Sequence, residues 1–187
     1  GNVFENDQLK LSLPSNSLYD SLYFHFDVLP ATKKSYAPIY RLHQDNVPLH
    51  SYIKLSIKAD DIPEKLKSKT LIAKVKEQEY SAQAVKWEGF WATASIRSFG
   101  DYTLVVDTVQ PQVKWINSSK SNELQANSKI SFFIKDELSG IKQYNGYLNG
   151  KWVLFEYDAK NDLLFYLTES EHLLDVNKLK IEVIDSV

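Results

Sequence analysis

Apolar and polar residues alternate with a period of two in short segments along the chain, and no stretch sustains the 3.6-residue spacing of a long amphipathic helix. Leu22, Phe24, Phe26 and Val28 interleave with Tyr23, His25 and Asp27, placing an apolar stripe on one strand face. Ile53, Leu55 and Ile57 repeat the pattern within Tyr52 to Ile57. Leu71 to Val75 and Tyr80 to Trp87 are the next two expected strands. Ala92, Ala94 and Ile96 alternate with Thr93, Ser95 and Arg97; Ser98-Phe99-Gly100-Asp101 then reads as a turn into Tyr102 to Val106, and the two segments are expected to form a hairpin. Only Asp60 to Lys69 offers a helical turn, with Pro63 tolerated at its start.

Asp107-Thr108-Val109-Gln110-Pro111 ends a strand with a proline that cannot donate to a ladder, and a domain boundary is expected there. The remaining residues, 109–187, hold enough alternating segments for an immunoglobulin-like sandwich. Ile130, Phe132 and Ile134 form one core stripe and Leu179, Ile181 and Val183 another. Asn149-Gly150 supplies the two positive-φ positions of a type I′ turn between Tyr147-Leu148 and Lys151-Trp152. Asp158 to Asn161 is a second turn, joining Trp152 to Tyr157 with Leu163 to Leu167. The expected architecture is therefore all-β: two tandem β-sandwiches, residues 1–108 and 109–187, the second immunoglobulin-like.

Composition narrows the function classes. Basic and acidic residues balance at 13 and 13 in residues 1–108 and at 9 and 11 in residues 109–187, so neither half carries the electrostatic footprint of nucleic-acid binding. No apolar run is long enough to span a bilayer as a helix. Cysteine is absent, which removes disulfides, thiolate nucleophiles and thiolate metal sites together. Methionine is absent too, and the final strand-like segment Leu179 to Asp185 has no closing loop, so the chain reads as a piece of a longer one.

Candidate chemistry is sparse. His25, His43, His50 and His172 have no zinc-hydrolase spacing, and the six glycines are dispersed at turns, with no nucleophile elbow or phosphate loop among them. His25 and Asp27 share a polar strand face, where a solvated pair is the plainer reading. Asp60-Asp61, Asp136-Glu137 and Glu169 with Glu171 are the visible carboxylate clusters. Asp136 and Glu137, joined by Asp107, are calcium candidates; the alternative is a turn in which Asp136 and Ser139 bond backbone amides. The aromatic residues are more suggestive. Trp87, Phe90 and Trp91 cluster at one loop, while Tyr144, Tyr147 and Trp152 surround the Asn-Gly hairpin; exposed, such rings stack on sugars or peptide, and buried they are core.

Several stretches resemble the non-catalytic C-terminal region of secreted lysostaphin-type zinc peptidases from Gram-negative anaerobic bacteria. They are Trp87-Glu88-Gly89-Phe90-Trp91 through Thr108 to Pro111, Ile134-Lys135-Asp136-Glu137-Leu138-Ser139-Gly140-Ile141, Tyr144-Asn145-Gly146-Tyr147-Leu148-Asn149-Gly150-Lys151-Trp152 and Ile181 to Val187. The likeness is loose before Trp87. The catalytic domain of that family uses His-x-x-x-Asp and His-x-His segments to hold zinc, and neither occurs here. What the resemblance implies is a chain with no catalytic residue and no cofactor of its own, zinc being expected only in a catalytic domain outside it. The implied role is to position that domain or to contact envelope glycan or peptide, in an exported, periplasmic or cell-surface protein. A carbohydrate-binding or adhesion module of another surface protein is the rival reading.

Overall fold

The computed structural model describes residues 1–116 and 124–187. The chain is all-β and divides into two compact units, Gly1–Thr108 and Val109–Ser186.

The first unit holds ten strands: β1 (Asn2–Glu5), β2 (Leu9–Leu13), β3 (Phe26–Leu29), β4 (Ile39–Leu42), β5 (Pro48–Lys58), β6 (Thr70–Lys76), β7 (Glu79–Ala84), β8 (Lys86–Glu88), β9 (Trp91–Ser98) and β10 (Gly100–Val106). They form two antiparallel five-stranded sheets, ordered β1-β2-β5-β9-β8 and β3-β4-β10-β6-β7. Alternation decides which side chains enter the layer between them. Leu9, Leu11, Ile53, Leu55, Ile57, Ala92 and Ile96 are buried from one sheet, and Tyr40, Leu42, Ile72, Tyr102 and Leu104 from the other.

Three expectations change here. Ala92 to Ile96 and Tyr102 to Val106 do not make a hairpin, because β9 pairs with β5 and β8 while β10 pairs with β4 and β6. The chain crosses from one sheet to the other at Ser98-Phe99-Gly100, where Phe99 is fully buried and Gly100 takes φ +135°. A short turn between two apolar strands fits a hairpin or a crossover equally, and burial of Phe99 selects the crossover. Tyr80 to Trp87 likewise splits into β7 and β8, which belong to different sheets. The Leu22 to Val28 stripe is strand only from Phe26; Leu22 and Phe24 pack on the core without a ladder. β3 is an edge strand whose only partner among the described residues, β4, ends at Leu42, and His43 then takes φ +55°. The expected helical turn is a short 3-10 segment, Glu64–Lys69.

β6 and β7 are joined by Glu77 and Gln78 at φ +49° and +73°, a two-residue positive-φ turn built without Gly or Asn. Left-handed backbone costs an L-residue about 1 kcal/mol, so Gln78→Gly is expected to stabilise the protein by roughly that amount in urea unfolding. No gain would show that the turn carries no such strain.

Burial pushes the Tyr102 phenol above the ordinary value of 10.0, opposed in part by its hydrogen bonding to Ser98. A raised native pKa means that the folded state holds its proton more tightly than the unfolded state. The associated stability is complete below the unfolded pKa and is lost as pH rises through the folded one. Tyr102→Phe is therefore expected to move the alkaline unfolding midpoint to higher pH, as read by circular dichroism. An unchanged or lower midpoint contradicts this.

The second unit contains β11 (Gln112–Ile116), β12 (Lys129–Lys135), β13 (Ile141–Leu148), β14 (Lys151–Val153), β15 (Glu156–Asp158), β16 (Leu163–Leu167) and β17 (Leu179–Asp185) among the described residues. A four-stranded sheet, β11-β12-β16-β15, faces a three-stranded one, β14-β13-β17. Ile130, Phe132, Ile134, Leu148, Val153, Phe155, Leu164 and Tyr166 fill the layer between them. Asn149 and Gly150 adopt φ +54° and +80° and close the β13–β14 hairpin. Trp152 to Tyr157 is not one strand: buried Phe155 marks the crossing from β14 to β15 in the opposite sheet.

Candidate functional site

The tight Asn149-Gly150 turn sets the register that brings Tyr147 on β13 directly opposite Trp152 on β14. Their neighbours Leu148 and Val153 are buried, so alternation sends Tyr147 and Trp152 to the outer face of the sheet. On its other side Tyr147 is paired with Lys180 of β17, whose Nζ lies 5.6 Å from the ring centroid. The Lys180 ammonium is raised above its ordinary pKa by its hydrogen bond to and attraction by Glu182, and Glu182 stands opposite Asn145. The result is a face three strands wide with two adjacent aromatic rings beside an ammonium, a carboxylate and an amide. Trp152 is 57% exposed. Rings of this kind stack on the apolar faces of sugars or on peptide, while the polar neighbours bond hydroxyl or amide groups.

The other aromatic candidates do not join this face. Tyr144 points inward, partly buried against the core with its ring 5.7 Å from Tyr157. Trp87 packs on the core of the first unit and donates its indole N–H to the Lys67 carbonyl at 3.0 Å, so it is largely a structural residue. Trp91 is half-buried on the outer face of its sheet beneath Lys10, whose Nζ is 4.6 Å from the ring. Phe90, at the tip of the β8–β9 turn, is 62% exposed.

Asp136 Oδ1 accepts hydrogen bonds from the amides of Leu138, Ser139 and Gly140 at 3.0, 2.7 and 2.8 Å and from the Ser139 hydroxyl at 3.1 Å. These donors compete directly with a cation for that oxygen. Glu137 follows in the same turn, and Asp107 is a buried residue at the end of the first unit whose amide bonds the Lys69 carbonyl at 2.8 Å. Glu169, Glu171 and His172 place carboxylate and imidazole atoms within 4.8 Å of one another at the surface. His25 and Asp27 form an exposed pair at 3.0 Å. They border an open polar cleft of about 670 Å³ that also contains Arg41, Lys74 and Asp101. Arg41 clamps Asp101 through two bonds of 2.8 Å, which hold its guanidinium above the ordinary pKa.

Lys180 is the member of the aromatic face that spacing along the chain does not reveal. Only the β13–β17 register places it beside Tyr147. Arg97 over the exposed Tyr52 ring, 5.2 Å from its centroid, is a second cation–π pair of this kind.

No helix among the described residues is long and apolar enough to cross a membrane. No curated protein and no solved structure matches the chain. The family profile of the Zu5-like domain matches residues 1–107, the first sandwich through its last strand, and most of that span lies before Trp87, where the likeness to peptidase accessory regions is loose. Nothing in that match points to lysostaphin-type peptidases. On the strength of a match covering more than half its length, the chain belongs to the Zu5-like domain family.

Proposed function

We propose that this chain is a non-catalytic accessory region of an exported lysostaphin-type metallopeptidase-like protein, and that it contacts envelope glycan or peptide through the outer face of β13, β14 and β17. The observation that carries this reading is the cross-strand Tyr147–Trp152 pair with Lys180 beside it. Two rings held in register on a rigid sheet need little ordering on binding, which favours a role in contact. The resemblance of the segments from Trp87 onward supports the peptidase setting, and in that setting the sandwich units also position the catalytic domain.

Co-sedimentation with purified peptidoglycan sacculi tests the proposal. The intact chain is expected to pellet with sacculi and Trp152→Ala to remain in the supernatant. Its stability should change by less than about 0.5 kcal/mol, because the side chain is exposed. Equal sedimentation of the two proteins would rule out this face. Sedimentation of neither, with binding to a different glycan that Trp152→Ala abolishes, would assign the face to an adhesion module instead.

A further inference from the structure

The chain has two arginines, and their surroundings differ. Arg41 holds Asp101 through two bonds of 2.8 Å, so its planar fork is already matched to a carboxylate. Arg97 alternates with the inward Ile96 and stands on the outer face of β9, in the other sheet of the first unit. Its guanidinium donates one bond, of 3.3 Å, to the His50 carbonyl and lies 5.2 Å from the centroid of the Tyr52 ring. Its other N–H groups meet no acceptor among the described residues.

The backbone of β5 builds these surroundings. The β5–β9 register shifts between Pro48 and Ile53, so residues 49–52 stand where β9 offers Arg97 alone. That irregularity puts the His50 carbonyl within reach of Arg97 and sets Tyr52 beside it, while Tyr19 meets the His50 ring edge-on at 5.1 Å. Tyr19 and Tyr52 are 68% and 58% exposed, so both rings are open to a ligand. The lysines of the same sheet are already neutralised: Lys10 holds Glu5 at 2.6 Å, and Lys54 and Lys58 hold Glu88 and Asp60 at 2.9 Å each. Of the lysine and arginine side chains on β2, β5 and β9, Arg97 alone has no carboxylate partner among the described residues.

We propose that Arg97, flanked by Tyr52, His50 and Tyr19, is a binding site for a carboxylated sugar, a unit of the uronic-acid class within a polysaccharide. The carboxylate closes the open guanidinium fork, and the sugar ring lies against exposed tyrosine. Charge selects a monoanion. One unmatched guanidinium balances a carboxylate, whereas a phosphate monoester brings a charge of about −1.5 to −2 and finds no second free cation on these three strands. The rings select a sugar. An acidic amino-acid side chain presents its carboxylate on a flexible stem and leaves the tyrosines uncovered, while a uronic acid brings the charge and a rigid ring with an apolar face together. This inference goes beyond envelope contact through the second unit, and either site stands or fails without the other.

Isotope-labelled chain titrated with tetragalacturonate tests this by NMR. The expected result is saturable shifts at the Arg97 side chain and the Tyr52 amide, with binding of the uncharged methyl ester at least roughly tenfold weaker. Arg97→Lys keeps the charge and the stem but loses the fork, and is expected to weaken binding about tenfold with the rest of the spectrum retained. Tyr52→Ala should weaken it about fivefold, and Trp152→Ala should leave it unchanged. No saturable shift, equal binding of acid and ester, or unaltered binding by Arg97→Lys would each overturn the proposal. So would an equal response at Arg97 to inorganic phosphate or to a glutamate-containing peptide.

Discussion

Gly146→Ala is expected to destabilise the second sandwich by about 2–3 kcal/mol, a large share of the stability of a small domain. Gly146 lies on the inward face of β13, and a Cβ there overlaps the Phe155 ring. That ring cannot swing aside cheaply: it is buried, 6.1 Å from the Phe132 ring and 5.4 Å from that of Tyr166. The backbone at Gly146 needs no positive φ, so the cost is overlap alone and should respond to a smaller neighbour. Phe155→Ala leaves a cavity and costs about 3–5 kcal/mol by itself. Combined with Gly146→Ala, it should lose clearly less than the sum. Urea unfolding of the two single variants and the double variant gives the coupling. Strict additivity would show that the ring and the glycine do not constrain one another.

Leu55→Ala is expected to cost the first sandwich about 3–5 kcal/mol. β5 is the middle strand of its sheet, with Leu55 paired to Leu11 of β2 on one side and Ala94 of β9 on the other, and all three side chains are buried. Strands laddered on both sides have little freedom to collapse into a void, which places this site at the costly end of the range. Amide exchange in β2, β5 and β9 should accelerate together in the variant. A loss below about 1 kcal/mol, or faster exchange confined to β5, would mean that the layer between the two sheets is not close-packed there.

Periodicity made the strands legible where they are buried on one face: Ile53-Leu55-Ile57, Ala92-Ala94-Ile96 and Ile130-Phe132-Ile134 all point inward. The Leu9-Leu11-Leu13 stripe of β2 carries the same signal, although it follows an unremarkable polar start. The Asn149-Gly150 turn was legible because its chemistry names its geometry. Pairing was not. Alternation states which face a residue takes but not which strand lies beside it, so β9 and β10 read as a hairpin when Phe99 in fact carries the chain across the core. The aromatic site was half visible for the same reason. Tyr147 and Trp152 flank a readable turn, whereas Lys180 reaches Tyr147 only through the β13–β17 register, and Tyr144 faces inward because it alternates in step with buried Gly146 and Leu148. The Glu77-Gln78 turn escaped notice because neither residue is a usual left-handed one.

The central claim is that the outer face of β13, β14 and β17 makes contact with envelope material. Titrating the isotope-labelled chain with soluble peptidoglycan fragments and following the four tryptophan indoles measures it most directly. The account predicts that the Trp152 indole and the amides of Tyr147 and Lys180 shift together and saturate, while the indole of Trp87, bonded to the Lys67 carbonyl, stays in place. Saturating shifts confined to other residues, or no shift at Trp152, would contradict it.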